Sequence, residues 1–156
     1  MIVVLMGVSG SGKTTIGKLV AQRLGCEFLD GDDFHPPQNV AKMAAATPLD
    51  DQDRKPWLEK LNAMLRQRQT AVLACSALKQ SYREILAKDI PLCRFVFLKG
   101  SLELIRARLK ERQHRYMPAS LLESQFATLE APANALAVDI AQPPERCVEQ
   151  IAGALR

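Results

Sequence analysis

The chain predicts an α/β domain in three layers, with a five-stranded parallel sheet between two layers of helices. Three features carry that reading. Short apolar runs alternate with helix-spaced segments along the whole 156 residues, the runs are continuous rather than alternating, and a glycine-rich loop joins the first run to the first helix. Ile2-Val3-Val4-Leu5-Met6 reads as the first strand. Lys13–Leu24 places apolar residues at Ile16, Leu19, Val20 and Leu24, which is helical spacing, and Gly25 stops it. Glu27-Phe28-Leu29 is a short second strand running into Asp30-Gly31-Asp32-Asp33. Pro36-Pro37 opens a helix toward Met43 and Ala46, and Thr47-Pro48-Leu49 breaks it. Asp50-Asp51 gives the next helix an acidic first turn before Trp57, Leu58, Leu61 and Leu65.

The second half repeats the alternation. Ala71–Cys75 is the third strand and Lys79–Ala87 a helix; Arg94–Leu98 is the fourth strand, with Gly100-Ser101 capping a helix from Leu102 to Arg112. Gln113–Pro118 is a polar interruption before a helix over Ala119–Leu129. Ala135–Ile140 is the fifth strand, and Pro143-Pro144 leads into the last helix, Glu145–Leu155. No repeat or linker divides the chain, so residues 1–156 read as one domain.

Composition excludes several classes. Hydrophobic residues make 47% and charged residues 24%, ordinary for a globular protein with its own core. The net charge of +4 is local, since Lys99 to Arg115 holds six basic and two acidic residues and so accounts for all of it. A segment this short and modestly charged suits a small anionic ligand, and no nucleic-acid partner is expected. Cys26, Cys75, Cys93 and Cys147 form no C-x-x-C pair, which suits small apolar core residues in a reducing cytoplasm. Met1–Met6 is too short for a membrane span or a signal sequence, so no membrane partner is expected. The sequence accommodates a homodimer without requiring one.

Chemistry concentrates at the predicted strand ends, where open α/β sheets bind ligands. Residues 7 to 14, Gly7-Val8-Ser9-Gly10-Ser11-Gly12-Lys13-Thr14, are a complete G-x-x-x-x-G-K-[ST] loop between a strand and a helix. Its glycines let successive N–H groups face one anion, and the helix N-terminus adds positive potential. Lys13 supplies a point charge for the β- and γ-phosphates. The hydroxyl of Thr14 suits Mg²⁺, and Thr15 completes the set. Across from this loop stand Asp30, Asp32 and Asp33. In isolation they would read as a solvated turn; facing a phosphate loop they read as the carboxylate half of a phosphotransfer site. No apolar run ending in Asp follows the predicted third strand, so a metal would rely on Thr14, phosphates and water.

Leu29-Asp30-Gly31-Asp32-Asp33-Phe34-His35-Pro36 resembles the gluconokinase signature. Asn39, Lys42-Met43, Pro48-Leu49, Asp51, Asp53-Arg54, Pro56-Trp57-Leu58, Cys75-Ser76-Ala77-Leu78-Lys79, Tyr82-Arg83 and Ser124-Gln125-Phe126 continue it in order. The resemblance spans the phosphate loop to about Pro132. It implies a P-loop kinase fold of the adenylate-kinase type, with acceptor-binding helices over about 36–68 and a lid over about 112–120. The implied activity is ATP-dependent phosphorylation of D-gluconate. Shikimate or another sugar acid is the alternative acceptor, and a nucleotide-dependent regulatory module the alternative class.

By resemblance, Asp32 contacts the acceptor hydroxyl and Asp30 lies near Mg²⁺, although which of the two is the base stays open. Arg54, Lys79 and Arg83 would read the anionic substrate, because an arginine fork matches a carboxylate. For the two arginines the competing reading is a helix-surface ion pair, for Arg54 with Asp50 or Asp51. His35 suits a sugar hydroxyl or loop packing equally, Trp57 suits the core better than a sugar platform, and Gln125 joins the substrate set. Arg108-Leu109-Lys110-Glu111-Arg112 resembles the lid-opening R-x-x-x-R, in which Arg108 would lie over adenine and Arg112 reach the transferring phosphate. Two departures stand out. His114-Arg115-Tyr116 replaces the usual Gly-His-Phe, and Ala46-Thr47 stands where a glycine usually precedes Pro-Leu, which would stiffen the acceptor side.

Overall fold

A computed structural model describes residues 1–111 and 119–155. The elements follow the predicted order: β1 Ile2–Met6, α1 Lys13–Leu24, β2 Glu27–Asp30, α2 Pro37–Ala44, α3 Asp51–Arg66, β3 Ala71–Ala74 and α4 Gln80–Ala87. They continue with β4 Cys93–Lys99, α5 Leu102–Glu111, α6 Ala119–Thr128, β5 Leu136–Asp139 and α7 Pro144–Ala154. The five strands form one parallel sheet in the order β2-β3-β1-β4-β5. β1 therefore lies in the middle, where the chain first builds one side of the sheet and then the other. Among the described residues no helix is long and apolar enough to cross a membrane.

β1 is apolar throughout because both its faces are covered. Val3 and Leu5 enter one core with Ile16, Val20, Ile105 and Ile151; Ile2, Val4 and Met6 enter the other with Trp57, Leu58, Leu61 and Leu86. Each fully buried aliphatic side chain contributes about 1.5–3 kcal/mol of transfer free energy, so this strand anchors the molecule and holds the loop that follows it. Cys75 and Cys147 are buried and Cys26 and Cys93 half-buried, all four unpaired. Burial pushes the Cys75 thiol up to about 12, which leaves it a packing group.

Local chemistry sets the acceptor side. Asp50 caps α3 by accepting from the Asp53 N–H at 2.7 Å, while the Asp53 carboxylate accepts from the Asp50 N–H at 3.0 Å. This capping box contributes about 1 kcal/mol. The same Asp53 carboxylate takes Lys42 of α2 at 2.8 Å, so one residue ties the two helices together. α2 closes on Ala46, whose φ of 59° is left-handed, with Thr47 N–H donating to the Lys42 carbonyl at 2.8 Å. Glycine takes that conformation freely, whereas an alanine costs about 1–2 kcal/mol. The stiffening expected of Ala46 thus comes with backbone strain.

Between β2 and α2 the acidic cluster is one turn of 3-10 helix, Gly31–Phe34, capped by Asp30. Gly31 is required by packing, since a Cβ there would meet the Ala74 carbonyl at 2.8 Å.

Candidate active site

A cavity of about 730 Å³ opens at the carboxyl edge of the sheet. Its phosphate wall is Ser9, Gly10, Gly12, Lys13, Thr14 and Thr15; its far wall is Asp30, Asp32, His35, Arg54 and Trp57, with Met43 and Thr47–Leu49 beside them. Ser76 after β3 forms part of the floor, and Leu109, Leu121, Gln125 and Thr128 close the side toward α5 and α6. Gly7 and Ser11 lie behind this surface and shape the loop; Gly12 holds φ at 95°, a conformation that suits glycine. The Lys13 ammonium donates to the carbonyls of Gly7 at 2.9 Å and Val8 at 3.0 Å.

Thr14 and Asp30, the candidate Mg²⁺ residues, lie side by side, the Thr14 hydroxyl donating to Asp30 Oδ2 at 3.1 Å. Asp30 Oδ1 accepts from the Asp32 N–H at 3.1 Å, so both its oxygens are engaged. By contrast the Asp32 side chain is 66% exposed, and among the described residues its carboxylate has only His35 Nε2 nearby, at 3.9 Å. Two hard oxygen donors beside a phosphate loop suit Mg²⁺, which keeps several waters and phosphate oxygens as its other ligands. No group of three or more His, Cys, Asp or Glu among the described residues would hold a metal without phosphates.

His35 stacks on Trp57, ring centroids 3.9 Å apart, and Trp57 Nε1–H donates to the Gly31 carbonyl at 2.8 Å. Trp57 is thus a core residue whose face carries His35. Burial lowers the pKa of His35 below its ordinary value, with nearby Asp32 opposing and Arg54 reinforcing the shift, which favours the neutral ring.

Of the three cations expected to read an anionic substrate, only Arg54 lines the cavity. Among the described residues it pairs directly with neither Asp50 nor Asp51. It donates to the Tyr82 hydroxyl at 3.0 Å, and Tyr82 donates to Asp51 at 2.5 Å. Lys79 is drawn to the same Asp51 at 3.1 Å, away from the cavity. Arg83 is 4% exposed and donates to the carbonyls of Ala77 at 2.7 Å and Glu130 at 2.8 Å. The structure therefore does not bring Lys79 or Arg83 to the acceptor wall. An arginine in sequence looks the same whether its donors face a ligand or buried carbonyls.

Gln125 reaches the phosphate end instead of the acceptor end: its Oε1 accepts from Ser9 N–H at 2.7 Å and its Nε2 donates to Ser9 Oγ at 3.1 Å. Arg108 is held at the end of β5 by donating to the Ile140 carbonyl, outside the cavity lining. Arg112 and the His114-Arg115-Tyr116 departure lie outside the described residues, as does most of the expected lid. Sequence reasoning missed Asn39 as a buried link and Tyr82 as the partner of Arg54; both appeared only as signature letters.

The sequence profile of the shikimate kinase family matches residues 9–141. The chain is 46% identical over 155 residues to the thermoresistant gluconokinase of Escherichia coli K12, an alignment covering 94% of this chain and 89% of that one. It is 50% identical over 135 residues to the gluconokinase of Gluconobacter oxydans 621H, covering 84% and 76% respectively. The crystal structure of a gluconokinase from Sinorhizobium meliloti 1021 superposes with a TM-score of 0.89 at 41% identity, covering 98% of this chain and 94% of the other. With a phosphate loop and an acidic, arginine-bearing wall facing one cavity, and relatives of this kind along nearly the whole length, the chain belongs to the gluconokinase family of shikimate-kinase-type P-loop kinases.

Proposed function

We propose that the protein transfers the γ-phosphoryl group of ATP to the 6-hydroxyl of D-gluconate, giving 6-phosphogluconate and ADP. The observation that supports it most is the two-walled cavity, with phosphate-loop amides and Lys13 on one side and Asp32, His35 and Arg54 on the other. Phosphoryl transfer is mostly positioning and charge stabilisation, and these groups divide that work. Asp32 accepts or aligns the proton of the attacking hydroxyl. Arg54 offers its fork to the substrate carboxylate, and His35 contacts a hydroxyl. Lys13 turns from the Gly7 and Val8 carbonyls to the phosphates, with Arg112 as a second cation and Arg108 on the nucleoside side. Ser9, Gln125 and the loop amides hold the γ-phosphate end.

Thr14 and Asp30 would hold Mg²⁺, which when bound neutralises charge on the β- and γ-phosphates. The ATP requirement and four unpaired thiols suit the cytoplasm. The test is ADP release with and without acceptor: turnover should require D-gluconate. Equal turnover without acceptor, or turnover with shikimate alone, would overturn the reading.

A further inference from the structure

Asn39 is fully buried, and its side-chain nitrogen faces two groups: the Asp53 carbonyl at 3.0 Å and His35 Nδ1 at 3.2 Å. A carbonyl only accepts, so the amide must present its nitrogen on that side; the flipped amide would set oxygen against oxygen. One hydrogen goes to Asp53 and the other points at His35 Nδ1, which must then carry a lone pair. The proton of the neutral imidazole is left on Nε2. The ring cannot swing away, because it is stacked on Trp57 and its side chain is 3% exposed. The groups facing it are Asp32 from the 3-10 turn, Asn39 from α2, and Arg54 and Trp57 from α3.

We propose that His35 is a fixed hydrogen-bond donor to the acceptor substrate, and that Asn39 is the positioning residue that keeps its proton on Nε2. The inference rests on the acceptor site assigned above. His35 Nε2 and Asp32 Oδ1 stand 3.9 Å apart, too far for a direct hydrogen bond but open to one oxygen bound to both. That oxygen must accept from Nε2–H and donate to the Asp32 carboxylate. Only a hydroxyl does both. An ether or carbonyl oxygen in its place would leave Asp32 without a proton to receive, so the pair selects a hydroxyl. His35 also cannot compete as base, which leaves the proton to Asp32.

The tautomer can be read without turnover. The chain has two histidines, so two-bond ¹H–¹⁵N spectra of histidine-labelled protein show two rings, and His114→Gln assigns them. The expected spectrum has His35 with a protonated Nε2 and an unprotonated Nδ1 at pH 7.5. Asn39→Asp, which can accept but not donate, should move the proton to Nδ1. His35→Leu should raise KM for gluconate about 10-fold or more, while His35→Gln, which keeps an N–H near the Nε2 position, should stay within a few-fold. A wild-type ring protonated on Nδ1 would overturn the positioning role. A correct tautomer with an unchanged KM in His35→Leu would overturn the substrate contact. If wild type shows no gluconate-dependent turnover, the acceptor assignment itself fails, and the spectrum still decides the role of Asn39.

Discussion

At the phosphate end of the cavity the lining groups come mostly from one stretch of chain, between Ser9 and Thr15. At the acceptor end they are side chains held by other side chains: Arg54 by Tyr82, His35 by Asn39 and Trp57, and α2 to α3 through Asp53. The first kind of site is built mostly within one short stretch, with Gln125 of α6 and Asp30 tied to it through Ser9 and Thr14. The second is assembled from contacts 4 to 28 residues apart, from His35 with Asn39 to Arg54 with Tyr82. Loss of rate should therefore follow from single groups, Lys13 at the first end and Asp32 facing it, and selectivity should be distributed over linked groups at the second.

The largest effect should come from Lys13→Ala. It removes a charge aimed at phosphates and no core volume, so kcat/KM should fall more than roughly 100-fold in a protein that still melts cooperatively. A folded variant of unchanged rate would remove the nucleotide end from the comparison. Next is Asp32→Asn, which keeps size but loses the negative charge. Here kcat should fall roughly 100-fold with ATP affinity little altered. Weakened ATP binding with kcat preserved would instead make Asp30 the better base.

The two arginines sharpen the contrast. Arg54→Ala should raise KM for gluconate by about 10- to 100-fold, the equivalent of roughly 1.5–3 kcal/mol for a charge-assisted contact, and leave KM for ATP within a few-fold. Arg83→Ala should act on stability instead, costing roughly 1–3 kcal/mol, chiefly because the buried Ala77 carbonyl is left without its partner. Denaturant titration alongside kinetics separates them. If Arg83→Ala shifted KM with stability intact, the buried arginine would belong to the site after all.

The fold was legible because its signals are local. The continuous apolar run Ile2–Met6, Gly25 after α1 and the proline pair before α7 each announce one element, and alternation fixes a parallel sheet. The phosphate loop was legible for the same reason. The acceptor wall was legible as a set of letters but not as a set of contacts. Arg54, Lys79 and Arg83 have one chemistry in sequence and three fates in the structure, decided by Tyr82, Asp51 and the carbonyls of Ala77 and Glu130. Asn39 gave no separate signal, because nothing in its surroundings in sequence shows that both its amide hydrogens are committed. The strain at Ala46 likewise depends on how α2 ends, which no local pattern declares.

The central claim is that the acceptor wall reads an anionic polyol through Arg54. The direct measurement is kcat/KM for D-gluconate and for D-glucose in the same coupled assay, with wild type and Arg54→Ala. Wild type should favour gluconate by at least about 10-fold, and the variant should lose most of that preference by losing gluconate activity. Equal kcat/KM for the two sugars in wild type, or a preference that survives Arg54→Ala intact, would contradict it.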